Sequence, residues 1–201
     1  MDYLKRTVKF RENYYEQEKA TFEKLQAGQN PWCLFVACSD SRVVPNIFMR
    51  QGMGEIFALR VVANIIPPYE EGVSAVGCSI EYAVAHLHVP HIIICGHMKC
   101  GGVMALDEDP GHLEEHIVDW IKYARPAKEA IDSEQAELEE AARHRAIVER
   151  NTLLQVENLK SYPVVQEAME KGELKLHAWL YELENGYVRY YDAINGGYVF
   201  P

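Results

Sequence analysis

Cys38, Asp40 and Arg42 stand one residue apart in the stretch ACSDSR, directly behind the apolar run WCLFV. A thiol, a carboxylate and a guanidinium in that spacing, where a buried strand should end, invite a chemical reading. A second stretch, GHMKCGG over 96–102, follows another apolar run and carries His97 and Cys100, three residues apart. One turn of chain can aim both at a single ion. Zinc favours Cys and His ligands in tetrahedral geometry, and Cys38, His97 and Cys100 together make a Cys₂His set. Three is the informative count, because structural zinc sites close with four protein ligands whereas catalytic sites keep one position open. Cys33, Cys78 and Cys95 lie inside apolar stretches and read as small buried hydrophobes.

Asp40 admits two uses beside such a site. Its carboxylate can accept the hydrogen bond of a metal-bound water and orient it, or it can bind the metal itself and plug the open position. Arg42 decides between them by clamping the carboxylate, ideally through two parallel hydrogen bonds. The plainer alternative is a surface salt bridge in a loop, which is worth little.

The elements that must position these groups alternate. WCLFVAC (32–38), EIFALRVVA (55–63) and HIIICGH (91–97) are apolar runs of strand length, as expected for strands buried on both faces. LKLHAWLYEL (174–183) and GYVRYYDA (186–193) read as a late antiparallel pair turned by Asn185-Gly186. Between them, Val73, Val76, Ile80, Val84 and Leu87 step by one helical stripe over 73–87. Residues 113–131 and 134–160 also carry helical pattern, with Pro126 marking a kink or break. Residues 2–27, rich in Glu, Lys, Gln and Tyr and closed by AGQNP, predict an N-terminal helical arm. It has few apolar residues of its own and would pack on a partner chain. The expected fold is therefore α/β: a single domain over 1–201 with a mostly parallel central sheet flanked by helices, an antiparallel pair near the C-terminus and an arm over 1–28. Ligands of such sheets gather beyond the carboxyl ends of the strands, where both chemical stretches sit.

The totals narrow the function classes. The chain has 201 residues, 48% of them hydrophobic, enough for one sizeable core. Its net charge of −10, without a basic stripe, argues against nucleic acid. The mixed run ARHRAIVER (142–150) reads as a solvated helix face. No apolar stretch reaches membrane-spanning length, and the first residues lack the apolar core of a secretory leader. Five cysteines, an odd number, point away from a disulfide framework and toward a reducing compartment. The expected location is cytoplasmic, with a bacterial microcompartment or an organelle as alternatives.

CSDSR followed by HMKCGG resembles the β-class carbonic anhydrases. FVACSDSRVVPNIF, VVANIIPPYEEG, SIEYAVAHL and IIICGHMKCGGV all resemble that family, in order and at suitable intervals, over residues 20–106. HAWLYELENGYV continues the likeness more weakly. The resemblance implies one Zn²⁺ per chain held by Cys38, His97 and Cys100, and reversible hydration of CO₂ to bicarbonate and a proton by a zinc-bound hydroxide. Asp40 and Arg42 would form the orienting dyad. Gln29 matches a glutamine of the plant-like branch that bonds substrate oxygen. Phe57 and Val62 match its apolar pocket and Tyr82 its nearby tyrosine. Gly101 matches a glycine whose backbone lies near the metal water. Tyr82 and His86, one helical turn apart and opposite the apolar stripe, face solvent or a partner; His86 would relay protons.

The resemblance further implies a homodimer or homotetramer whose active sites are completed by the neighbouring chain, with no nucleic acid or membrane partner. Two departures stand out. Val61 replaces a frequent asparagine. Phe35 replaces the tryptophan of an inhibitory bicarbonate site whose other members Arg60 and Tyr181 resemble, so that regulation is not expected. Two other readings stay open: a CS₂ or COS hydrolase on the same scaffold, and a zinc-stabilised assembly protein without turnover.

Overall fold

The computed structural model describes residues 2–201 and divides the chain into two compact units, with the boundary between Asn30 and Pro31. The first unit is helical. Helix α1 (Tyr3–Lys9) runs into a π-helical turn (Phe10–Tyr15), and α2 (Lys19–Leu25) follows after a break. The expected continuous helix over 2–27 is thus interrupted at Glu18. An aromatic cluster accounts for the fold-back: Phe22 meets Tyr15 with ring centroids 4.6 Å apart and Phe10 at 6.1 Å. Tyr3, Leu4 and Val8 stay exposed.

The second unit is a six-stranded sheet, β1 (Cys33–Ala37), β2 (Ile56–Arg60), β3 (His91–His97), β4 (Lys175–Tyr181), β5 (Val188–Asp192) and β6 (Gly197–Val199), in the order β2-β1-β3-β4-β5-β6. The first four are parallel, and β5 and β6 are antiparallel. β6 is a strand that the sequence pattern did not reveal; it is three residues long, too short for a period to show. Every residue of β1 is buried, as is β3 from Ile92 onward, which explains their unbroken apolar runs. Alternate residues serve opposite faces. Leu34, Val36, Ile92 and Ile94 join one cluster with Ile80 and Leu159, while Cys33, Phe35, Ile93 and Cys95 join another with Val43.

Helices α3 (Pro45–Phe48), α4 (Ala75–Glu81), α5 (Gly101–Met104), α6 (Glu115–Ile121), α7 (Arg125–Glu134), α8 (Glu140–Leu159) and α9 (Pro163–Glu170) fill the connections. α4 is capped by Ser74, whose hydroxyl accepts the Gly77 N–H at 3.0 Å, and continues as a π-helical turn over Tyr82–His86. The stripe Val76, Ile80, Val84 is buried as expected, but Val73 precedes the cap and is fully exposed. Cys78 is also exposed rather than buried. Pro126 does break the predicted 113–131 helix: it stands in the first turn of α7, where its missing N–H costs nothing. The helix predicted from 134 starts at Glu140.

Within the run 142–150 all but Ala142 are half-buried to buried, so it is not a solvated face. Arg143 pairs with Asp107 and Asp132, Arg145 with Glu182, and Arg150 with Glu134. None of the described helices is long and apolar enough to cross a membrane.

β1 lies between β2 and β3, so the chain leaves β1 to one side and reaches β3 on the other. Strand order reverses there, and the crevice beyond the strand ends is where such sheets bind ligands. α8 packs behind it: a Cβ added to Gly96, in β3, would overlap Thr152 Oγ1 and press on Leu180 and Val148. Gly96→Ala should therefore destabilise the fold by about 1–3 kcal/mol, read as a lower urea midpoint with an unchanged slope; an unaltered midpoint would show that the α8–β3 contact is slack.

Candidate metal centre

The strand ends deliver the three sequence-predicted ligands to one point. Cys38 follows β1, His97 ends β3, and Cys100 precedes α5. Their ligand atoms lie within 4.8 Å of one another, and the two sulfurs are 3.9 Å apart. Tetrahedral zinc–sulfur bonds of about 2.3 Å place two sulfurs roughly 3.8 Å apart. The H-x-x-C spacing works because Lys99 takes a left-handed conformation, φ +56°, which turns the chain sharply between the two ligands.

Protonation and hydrogen bonding fit a cation. His97 is fully buried and its Nδ1–H donates to the Met98 carbonyl at 3.0 Å, so Nε2 carries the lone pair. That Nε2 is buried without a hydrogen-bond partner, a costly arrangement unless the lone pair is used. The Cys100 thiol beside it pulls the Cys38 thiol down to about 4, against the effect of burial. Donating that proton, together with burial, pushes Cys100 up. The Ala63 N–H also donates to Cys38 Sγ, at 3.3 Å. Among the described residues no other group of three or more Cys, His, Asp or Glu side chains converges in this way. Burial pushes the Cys33 thiol up to about 12 and raises Cys95 as well, in keeping with their reading as inert core residues.

Asp40 sits beside this cluster, held by Arg42 through two parallel bonds. Arg42 Nε donates to Oδ1 at 2.9 Å and Nη2 to Oδ2 at 2.6 Å; the Arg42 backbone N–H adds a third bond to Oδ1 at 2.9 Å. Arg42 Nη2 also donates to the Lys99 carbonyl, at 3.1 Å, tying the two ligand loops together. Oδ2 lies 3.9 Å from His97 Nε2. The guanidinium holds the Asp40 carboxyl well below the usual carboxylate range, so it is an acceptor only. Arg60 braces the same loop from β2, donating to the Cys38 carbonyl at 3.2 Å and the Asp40 carbonyl at 2.5 Å. No local spacing pointed to this bracing, since its partners are backbone carbonyls about twenty residues away in sequence. Val61, the departure noted above, contributes backbone bonds: its N–H to the Ala37 carbonyl and its carbonyl to the Ser39 N–H.

The remaining sequence-predicted residues fall into separate groups. Phe57, Tyr82 and His86 form a row of rings, with centroids 5.8 Å apart from Phe57 to Tyr82 and 5.4 Å from Tyr82 to His86. Both Tyr82 and His86 are exposed, as expected. No hydrogen bond or ring contact joins this row to Cys38, His97 or Cys100 among the described residues. Val62 lies against the metal loop: a Cβ on Gly102 would meet Val62 Cγ1 at 2.7 Å. The steric demand for glycine is thus at Gly102, while a Cβ on Gly101 would meet nothing. Gln29 belongs to the first unit.

An α/β sheet with a Cys₂His cluster at its switch point and a clamped carboxylate alongside defines a site whose three side chains could hold a divalent ion. The carbonic anhydrase family model matches residues 33–188. The chain is 37% identical to the carbonic anhydrase of Synechococcus elongatus, covering 89% of this chain and 66% of that protein. It is 38% identical to that of Pseudomonas aeruginosa, covering 94% and 84%. Among solved structures it resembles the β-carbonic anhydrase CcaA, with TM-score 0.95 and 35% identity over 98% of this chain and 97% of that one. It also resembles the tetrameric β-carbonic anhydrases of Sordaria macrospora, with TM-score 0.84 and 29% identity over 93% of each chain. The chain belongs to the carbonic anhydrase family, in its β class.

Because Asp40 ionises at lower pH in the folded chain than in the unfolded one, its contribution is complete above the unfolded value of about 3.9 and fades as pH falls below it. Asp40→Asn should lower the urea midpoint at pH 7, and its gap from wild type should narrow as pH is taken toward 3. A gap of constant size would mean that the charge on Asp40 adds nothing to the clamp.

Proposed function

We propose that this protein is a zinc enzyme that reversibly hydrates CO₂ to bicarbonate and a proton, with Cys38, His97 and Cys100 as the metal ligands. The observation that carries this reading is the orphaned, buried Nε2 of His97 beside two sulfurs and a clamped carboxylate. Zinc bound there would lower the pKa of a water and supply a nucleophile, and because two thiolate ligands leave the ion less positive that nucleophile would form toward alkaline pH.

Asp40 orients that nucleophile. Its Oδ1 is engaged by the Arg42 Nε–H and N–H, whereas Oδ2 takes a single bond from Nη2. Oδ2 therefore keeps a lone pair on the side of His97 and accepts the nucleophile's hydrogen, which aims an oxygen lone pair at carbon. Being ionised throughout the physiological range, Asp40 does not compete for that proton. CO₂ is neutral and apolar and suits a pocket of Phe57 and Val62. The Gly101 N–H and Gln29 are the donors for charge growing on the substrate oxygen, in the manner of the family's plant-like branch. His86, stacked on Tyr82 at the surface, passes the product proton to solvent.

We further propose a single catalytic domain over 1–201 whose residues 1–28 form an arm that packs on a second copy, in a homodimer or homotetramer. The exposed Tyr3, Leu4 and Val8 support this, as does the tetrameric state of the Sordaria macrospora relatives. Such an assembly brings the Tyr82–His86 row of one protomer within reach of its partner's metal site. The location that suits free thiol ligands is the cytoplasm.

Metal analysis with stopped-flow CO₂ hydration tests the reading. One zinc per chain and a rate rising toward alkaline pH are expected. Asp40→Asn should keep zinc but lose on the order of 10²-fold or more in rate, the scale of an oriented hydrogen bond in the transition state. Wild-type turnover in that variant, or turnover of CS₂ or COS but not CO₂, would overturn it. Light scattering on the intact chain should show a dimer or tetramer; a monomer with full activity would remove the partner-completed site.

A further inference from the structure

The segment from Val62 to Ile66 joins the metal loop to α8. Ala63 and Asn64 both adopt left-handed backbone, φ +54° and +49°, and both are buried. Asparagine tolerates that conformation but alanine does not favour it, and at Ala63 it persists only where its surroundings over-determine it. Here the surroundings are a row of buried amides on α8. Asn151 Nδ2 donates to the Ala63 carbonyl at 3.1 Å. Gln155 Nε2 donates to Asn151 Oδ1 at 2.8 Å, which fixes the face Asn151 presents, and Gln155 Oε1 accepts the Ile66 N–H at 2.8 Å. Asn158 Nδ2 donates to the Ile66 carbonyl at 2.9 Å, and Trp120 Nε1 to the Val62 carbonyl at 2.9 Å. Asn151 is 1% exposed and Gln155 0%, so these bonds have no competition from solvent. The Ala63 N–H in this constrained turn points at Cys38 Sγ.

We propose that Asn151 and Gln155 are positioning residues for the metal centre. By holding the Ala63–Asn64 turn in its left-handed form they aim the Ala63 N–H at Cys38 Sγ, and so set how strongly that sulfur donates to the ion. The inference rests on the reading of Cys38 as a metal ligand. An N–H donor draws electron density from a thiolate and lowers the energy of its lone pairs, leaving the ion more positive. Groups one step out from a ligand tune a metal in this way. Gln155 acts through Asn151 and touches neither the ligand nor the substrate.

The test uses the intact protein loaded with cobalt(II), whose sulfur-to-metal charge-transfer band reports the energy of the sulfur lone pairs. In Asn151→Leu and in Gln155→Met the band should move to longer wavelength, because a sulfur that no longer accepts the Ala63 N–H holds its lone pairs at higher energy. Leu159→Ala, on the same helix but in the other core cluster, should lower stability without moving the band. A wild-type protein with no such band would defeat the ligand reading itself. A wild-type band that stays in place in both variants would defeat the positioning role alone. Should Asn151→Leu fail to fold, cadmium-113 in the wild-type protein decides: the Ala63 amide proton must couple to the metal across the Cys38 sulfur, and the absence of that coupling overturns the proposal.

Discussion

Two buried sulfur atoms 3.9 Å apart cannot both be anions without a cation between them. At an effective dielectric constant near 20 their mutual repulsion is about 4 kcal/mol, and burial adds a desolvation cost to each. The structure brings them together nonetheless, with an imidazole whose free nitrogen has no other use. The sheet makes that proximity unavoidable. Ala37 and Cys95 are register partners in adjacent parallel strands, so Cys38, one residue further on, and His97, two residues further on, leave the sheet at the same end. Cys100 joins through one left-handed residue. The ligand set is thus a property of a rigid ladder plus one turn, not of three mobile loops converging.

That rigidity sets the problem Asp40 must solve. A carboxylate 3.9 Å from a ligand nitrogen is itself a competent ligand and a rival for the free position. Its alternatives are arranged to be better. Arg42 offers two parallel charge-assisted bonds and a backbone N–H, and Arg60 fixes the loop's carbonyls from β2. Neither arginine meets the metal loops through charge alone: Arg42 also reaches the Lys99 carbonyl, and Arg60 the Cys38 carbonyl. Both therefore report on the backbone shape of the ligand loops, so carboxylate orientation and ligand geometry are coupled.

The convergence of Cys38, His97 and Cys100 was legible because its signals are local: Cys38 and the His97–Cys100 pair each follow an apolar run, and the sheet brings those strand ends together. Asp40 and Arg42 were legible for the same reason, being two residues apart. The strands of the parallel centre and the break at Pro126 could be read from period and backbone chemistry. What could not be read is long-range or compensated. Val73 fits the helical stripe by spacing, but Ser74 caps the helix after it. Arg143, Arg145 and Arg150 look like a solvated face because their acidic partners lie on other elements. α9 and β6 are short and left little pattern. Arg60 resembles a member of a regulatory site by position, yet in the fold its bonds go to two carbonyls of the Cys38–Asp40 loop.

The row Asn151, Gln155, Asn158 is the sharpest of these cases, and its logic is forced. A left-handed pair at Ala63–Asn64 cannot continue a strand ladder or start a helix, so the carbonyls of buried Ala63 and Ile66 take their donors from side chains. Buried carbonyls demand partners, and water is excluded there. The donors must then come from side chains on whatever element covers the turn, which is α8, with Trp120 of α6 completing the set. Residues at i, i+4 and i+7 share one helix face, so a strained turn translates into a polar row where hydropathy expects an apolar one. Apolar side chains of equal volume would pack there, but each would leave a carbonyl or N–H unmet, at about 1–3 kcal/mol apiece. The polarity of α8 is in this sense written by the conformation of the loop beside Cys38.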